Sequence, residues 1–183
     1  MTKMDELIGG LRRVVTADDA NGKSEIMIDG GPAAEFRSGD MGGLHEIWHD
    51  TTSGPLDPSI CEDKAAGPSL LSPDPGKVKI RWFTSGLPPK DAPPEMLAEL
   101  TKKAFEAMGA GNHQPDTSKH PAMHTTHTID AIILIKGQVK LILDKQETII
   151  NPGDVVVQRA TNHAWVVVGD EPALFVAVLV DRS

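Results

Sequence analysis

The last third of the chain alternates short apolar runs with turn-forming residues. Thr128–Lys136 is a β-branched and aliphatic run that ends at Gly137, and Gln138–Leu143 begins by alternating polar and apolar residues. Asn151–Asp154 reads Asn-Pro-Gly-Asp, which is a strong turn signal. The same pattern predicts further strands over Glu147–Ile150, Val155–Gln158, Ala164–Val168 and Ala173–Val180. Short strands separated by turns in this way predict an antiparallel β-sandwich or barrel.

The N-terminal half shows looser strand patterns and one helical pattern. Four strands are predicted here, over Leu11–Val15, Glu25–Ile28, Leu44–His49 and Lys77–Phe83. Ser53–Gly76 contains five prolines, and it is predicted to be an irregular loop that covers other parts of the fold. Pro94–Met108 places apolar residues at helical spacing, begins with prolines and is followed by Gly109, so a helix is predicted there.

Length and composition fit a single β-rich domain. A chain of 183 residues is long enough for one domain with its own core. Within it we expect N-terminal strands and the covering loop over residues 1–76. A strand, the helix and a loop at the mouth of the barrel follow over 77–120, and the core lies over 121–182. The net charge of −8 argues against nucleic acid or an anionic membrane as partner, and no apolar run is long enough for a membrane helix. Cys61 is the only cysteine, so we expect a cytoplasmic protein without disulfides or a cysteine-based zinc site.

Histidines are concentrated just before and within the predicted core. Four of the seven fall within fifteen residues, namely His113, His120, His124 and His127. Clustered imidazoles in a chain with one cysteine indicate a metal held by nitrogen and oxygen. Because side chains alternate across a strand, His124 and Asp130 share a face, and His127 points the other way. Adding His163 from a neighbouring strand gives two imidazoles and one carboxylate, a set that leaves coordination positions open.

Two segments resemble the motifs of a known family. Residues 124–130 read HTTHTID and are followed by Gly137 after six residues, and residues 151–163 read NPGDVVVQRATNH. Over roughly residues 121–181 the chain resembles the cupin superfamily, in particular its small single-domain members. The resemblance implies an all-β jelly-roll barrel with one or two short helices, a divalent metal ion and a homodimer.

The sequence departs from the family's pattern at the metal positions. Thr126 stands where the first motif has its second histidine, and Asp130 replaces the usual glutamate. Gln158 and Ala160 stand at the proline and glycine positions of the second motif. We therefore expect an altered metal site, with Fe, Mn, Zn or Ni as the ion and with His127 or a water filling in. The expected ligands are His124, Asp130 and His163.

Three further residues are candidates for catalysis. His127 and His120 could transfer protons during the reaction. Arg81 could hold a substrate carboxylate, because a guanidinium binds carboxylates in bidentate geometry. The alternative for Arg81 is a solvated outer strand face that it shares with Lys77 and Lys79.

These residues lead to three hypotheses for the function. The first is a metal-dependent enzyme whose ion acts as a Lewis acid on a small organic acid or carbonyl compound, in decarboxylation, dehydration or isomerisation. The second is an Fe(II)-dependent dioxygenase, and the third is a cupin that binds a ligand without catalysis. The expected partner is a small molecule, and a carboxylate is the class that would fit Arg81. Neither nucleic acid nor a membrane is expected as a partner. A homodimer is expected because the N-terminal strands have no evident local partner.

Overall fold

Strands dominate the architecture, which a computed structural model describes over residues 1–60, 62–89 and 91–183. Cys61 and Lys90 lie outside the described residues. The predicted all-β class is confirmed. In chain order the elements are α1 Lys3–Gly9, β1 Arg13–Asp18, β2 Ser24–Gly30, β3 Glu35–Arg37, a 3₁₀ turn Gly39–Met41, β4 Gly42–Thr51, β5 Lys77–Ser85, α2 Pro94–Ala107, β6 Thr128–Lys136, β7 Val139–Leu143, β8 Glu147–Ile150, β9 Val155–Arg159, β10 His163–Val167 and β11 Ala173–Asp181.

The strands of the C-terminal third follow the predicted bounds closely. β6 and β8 begin and end where the sequence predicts. β7, β9 and β11 differ by one residue at one end, and β10 is shifted by one residue at both ends. Two turn glycines help to fix these ends, because Gly137 has φ +85° and Gly153 has φ +94°. Glycine adopts such positive φ values without the steric cost that a side chain would meet.

The N-terminal half contains one α-helix and one strand that the pattern did not predict, α1 and β3. The Thr2 hydroxyl accepts a hydrogen bond from the Asp5 N–H, and the Asp5 carboxylate accepts one from the Thr2 N–H, so a capping box begins α1. This helix buries Met4 and Ile8, but seven residues are too few for its periodicity to stand out. The helix predicted over Pro94–Met108 is confirmed as α2. In the described part of the chain, no helix is long and apolar enough to cross a membrane.

Two antiparallel sheets form the body of the fold. One has six strands in the order β3-β4-β5-β11-β6-β9, and the other has three in the order β10-β7-β8. Their facing sides share an apolar core, in which Leu134 of β6 and Val139 of β7 are almost completely buried. Phe83 of β5 stacks on Phe175 of β11 with ring centroids 4.2 Å apart. This packing of sheet on sheet agrees with the predicted sandwich or barrel.

The first two strands pair with each other, so the expectation that they lack a local partner is wrong. β1 and β2 form an antiparallel hairpin, and its turn is stabilised by the Asp19 carboxylate, which accepts the Lys23 N–H at 2.9 Å. The buried Arg13 ties the hairpin to the rest of the protein, through the Asp63 carboxylate and through the Ile47 carbonyl at 2.9 Å. The homodimer stays a prediction, but unpaired N-terminal strands no longer support it.

The proline-rich segment 53–76 contains no helix or strand among its described residues, as predicted, and it covers β5. Lys79 Nζ donates to two carbonyls of the stretch Leu70–Ser72, at 2.9 and 3.1 Å, and Arg81 donates to two carbonyls of the same stretch. Lys79 and Arg81 are only 5% and 1% exposed. The alternative of a solvated outer face is therefore wrong for these two residues, because the loop turns their side of the strand into interior.

Candidate active site

The two predicted motifs meet in a cavity of about 160 Å³ between the sheets. Alternation along the chain places Thr126, Thr128 and Asp130 in the interior, whereas His127 and Ile129 are exposed. The cavity wall includes apolar residues from both sheets and from α2. Its polar lining residues are Arg81, His124, Thr126, Asp130 and His163.

His124 and His163 lie side by side in this cavity. Each donates its backbone N–H to the other's carbonyl at 3.0 Å, and the ring centroids are 4.3 Å apart. The Nδ1 atoms lie 2.9 Å from the carbonyl oxygens of Ala122 and Thr161 respectively. A carbonyl only accepts hydrogen bonds, so both Nδ1 atoms carry the proton and both Nε2 atoms carry a lone pair. Burial lowers the pKa of both rings, that of His124 to about 3, and keeps them neutral.

Aromatic side chains hold the imidazole pair on both sides. The ring centroids of Phe105 and His124 lie 5.0 Å apart, and the rings of Trp165 and His163 meet edge to face with centroids 5.8 Å apart. Trp165 in turn packs on Phe175, with centroids 5.4 Å apart. These contacts restrict the rings, so both imidazoles are oriented before any ligand binds.

Asp130 contributes a carboxyl group to the same cavity. The residue is 4% exposed, and its Oδ1 has no hydrogen-bond partner. Burial raises the pKa of Asp130 to about 6, while a hydrogen bond from Thr128 and the charge of Arg81 oppose the rise. An unpartnered buried oxygen is costly in a folded protein, so it marks a point where a ligand or ion would be stabilised.

The donor chemistry of the histidine pair fits a divalent metal. Neutral imidazoles with a free Nε2 and with Nδ1–H bound to a carbonyl are what metal-binding histidines require. Within the described residues, however, no three side chains of His, Cys, Asp or Glu converge closely enough to hold an ion. The structure thus brings His124 and His163 together and places Asp130 in their cavity. The triad itself stays a prediction.

Arg81 lines the cavity and is paired with an acidic residue. Its Nη2 lies 2.9 Å from Oε1 of Glu46, and both side chains are buried. The guanidinium also binds loop carbonyls, while its Nε has no hydrogen-bond partner. The charge of Arg81 is therefore compensated, and its Nε–H is left without an acceptor.

The two histidines predicted to transfer protons lie in different places. His127 is exposed on the outward side of its strand, so the structure does not bring it into the cavity. His120 lines a second cavity of about 290 Å³, which we call the outer compartment, beside Pro121 and Ala122. Its Nδ1 accepts the Ala122 N–H at 3.1 Å, so the proton of the neutral ring is on Nε2.

Glu46 is a residue beside the site that the sequence pattern did not single out. Glu46 pairs with Arg81 and Trp48 with Ile80, so the register of β4 shifts at this point. That irregularity breaks the alternation, and Oε2 of Glu46 lies 2.9 Å from Nε2 of His49. A buried arginine needs a carboxylate on a neighbouring strand, and that requirement could have pointed to Glu46.

Comparison with known proteins shows which domain and which proteins this chain resembles. A family model with the description "Cupin domain" matches residues 112–179. Phomopsin biosynthesis cluster protein C' of Diaporthe leptostromiformis is 48% identical over 44 residues, which are 24% of this chain and 23% of that protein. The cupin-domain-containing oxidoreductase fogC of Aspergillus ruber is 40% identical over 63 residues, 32% of this chain and 31% of that protein. The matches thus span about a quarter to a third of these relatives.

The solved structures that resemble this chain include the Cnp3 cupin domain of Schizosaccharomyces pombe. It is 9% identical, with a TM-score of 0.45, over 94% of this chain and 88% of that one. The family match extends from the loop before β6 to β11, and it includes His124, Asp130 and His163. Residues 112–179 of this chain thus match the cupin-domain family.

Proposed function

We propose that this chain is a cupin enzyme that acts on a small molecule in the inner cavity, with a divalent metal ion held by His124 and His163. The proposal is carried by one observation. In both rings a carbonyl oxygen accepts the Nδ1–H, so each Nε2 atom is free to bind a metal ion. Asp130 is the third ligand in the proposal, because its unpartnered Oδ1 belongs to the same cavity.

The protein's own residues would bind, orient and shield the substrate. A bound divalent ion would supply Lewis acidity, and iron(II) would in addition supply oxygen chemistry. The Nε–H of Arg81 donates to a carboxylate or carbonyl oxygen of the substrate, while Phe105 and Met108 exclude water from the cavity. His120 holds its proton on Nε2 in the outer compartment, and we propose that this N–H donates a hydrogen bond to the substrate.

Among the possible reactions we propose an oxidation or reduction. The relative in Aspergillus ruber is named a cupin-domain-containing oxidoreductase, which supports this class over decarboxylation, dehydration and isomerisation. All of these reactions would use the same protein residues. The identity of the metal separates them, since iron favours oxygen chemistry and zinc favours Lewis-acid catalysis.

A binding function without catalysis is the second candidate. It is favoured by Thr126, which occupies the position of a motif histidine, and by the lack of a three-ligand group among the described residues. Under this hypothesis the cavity holds a ligand, and the imidazole pair serves as two hydrogen-bond acceptors.

Metal analysis by ICP-MS tests the proposal, on protein purified without a nickel column. The wild type is compared with His124→Ala and with His127→Ala, a control that loses an imidazole from the exposed side of the strand. We expect close to one metal ion per chain in the wild type and the control, and a marked loss in His124→Ala. Absence of metal in the wild type, even after reconstitution, would contradict the enzyme proposal and support the binding function.

A further inference from the structure

We infer that the outer compartment binds an extended apolar part of the substrate. The substrate would then be an amphipathic molecule, with an oxygen-bearing end in the inner cavity and a hydrocarbon chain or ring in the outer compartment. This inference rests on the proposed function, because it places the polar end at the proposed metal site.

The two cavities adjoin each other and share part of their lining. Leu44, Phe83, Met108 and Trp165 line both of them, so these side chains form a shared wall. The inner cavity, at about 160 Å³, is smaller than the ~300–1,000 Å³ that small-molecule sites usually have. With the outer compartment of about 290 Å³ added, the combined space falls within that range. In the proposal a ligand of ordinary size occupies both cavities, and its chain passes between the side chains that line the two.

Polar and apolar groups are separated between the two cavities. The inner cavity has charged or titratable groups from Arg81, Asp130 and the histidine pair. The described lining of the outer compartment contains no lysine, arginine, aspartate or glutamate, and His120 is its titratable group. Such a compartment stabilises hydrocarbon, since each apolar group that leaves water contributes to binding.

Helix α2 supplies one wall of the outer compartment. Leu97, Thr101, Ala104 and Met108 recur at spacings of three and four residues, so they lie along one side of the helix. This stripe faces the compartment, and at its end Met108 also packs with Phe105 in a buried apolar cluster. The small side chain of Ala104 leaves room in the middle of the wall for a ligand.

Isothermal titration of the full chain with a homologous series tests the inference. The probes are the sodium salts of butanoate, hexanoate, octanoate and decanoate, which share a carboxylate and differ in chain length. We expect the affinity to rise by up to about fourfold per added methylene group, until the compartment is filled. Equal affinities along the series would overturn the inference.

Two variants of α2 show where the hydrocarbon binds. Ala104→Phe fills the compartment, and it should weaken decanoate binding by about tenfold or more while butanoate binding is unchanged. Ala98→Phe, on the exposed side of the same helix, should leave the whole series unchanged. A chain-length dependence that persists in folded Ala104→Phe protein would mean binding elsewhere, and it would also overturn the inference.

Failure of the inference is distinguishable from failure of the proposed function. Metal-free wild type that still prefers long chains, and loses this preference in Ala104→Phe, would support the compartment and contradict the metal site. Metal-containing wild type with equal affinities along the series would overturn the compartment and leave the metal site in place.

Discussion

Arg81 and Glu46 form an ion pair in which both side chains are buried from solvent. Nη2 lies 2.9 Å from Oε1, and the side chains are 2% and 0% exposed. Burial alone would raise the pKa of Glu46, but the hydrogen bond to His49 and the charges of Arg81 and Lys79 hold it below its ordinary value. The carboxylate is therefore charged at neutral pH, and it fixes the guanidinium that lines the inner cavity.

Replacement of Glu46 by glutamine should destabilise the fold strongly. Glu46→Gln leaves a buried guanidinium without its counter-charge, a type of change that costs about 3–5 kcal/mol. Chemical denaturation at pH 7 measures the loss in the free energy of unfolding. Glu99→Gln is the control, because its pair with Lys103 is largely exposed and should contribute less than about 0.5 kcal/mol. A loss below 1 kcal/mol for Glu46→Gln would show that the pair is not needed.

Gly137 should tolerate a methyl group much less well than Gly153. Both have positive φ, so Gly→Ala carries a conformational cost of about 1–2 kcal/mol at either site. A Cβ on Gly137 would in addition lie 2.9 Å from the Cα of Ala173 and from the carbonyl oxygen of Pro172, whereas at Gly153 it would meet nothing within 4 Å. We expect Gly137→Ala to lose roughly 1–3 kcal/mol more than Gly153→Ala in thermal or urea unfolding. Equal losses would contradict the packing explanation.

Lys79 should make the stability rise with pH in the alkaline range. Burial lowers the pKa of Lys79 to about 8 in the folded protein, from an ordinary value of 10.5. Between these values the unfolded chain binds more protons, so the free energy of unfolding increases with pH, by on the order of 3 kcal/mol at most. Below pH 8 this contribution no longer changes.

Other groups titrate in the same range, so the difference between wild type and Lys79→Met isolates the effect. The control is Lys23→Met, at an exposed lysine. An unchanged slope in Lys79→Met would refute the assignment.

Replacement of Thr126 by histidine should strengthen metal binding. Thr126 lines the inner cavity beside His124 and His163, so Thr126→His offers a third imidazole nitrogen. We expect metal affinity to rise by about tenfold or more, equivalent to about 1.4 kcal/mol, in a competition titration with a chelator. Thr125→His, one position along and outside the cavity lining, should have little effect. Equal affinity in wild type and folded Thr126→His protein would argue against a metal at the histidine pair.

The sequence by itself determined the elements whose signals are local. The apolar run Thr128–Lys136 and the turn Asn151–Asp154 specify strand ends through backbone preferences that act over a few residues, and the structure agrees there. The side-chain alternation after His124 also predicted which motif residues face inward, and Thr126 and Asp130 do line the cavity. Periodicity and turn chemistry suffice for these features because they depend on neighbours in the chain.

Only the tertiary structure decided which strand faces are covered and which charges meet. The pattern of Lys79 and Arg81 is compatible with a solvated face, and the covering loop makes it interior through contacts that the strand itself does not encode. The shift in β4 brings Glu46 to Arg81 against simple alternation. The outer compartment likewise arises where α2 lies over the sheet. These features depend on residues distant in sequence, whose contacts form only when the chain packs.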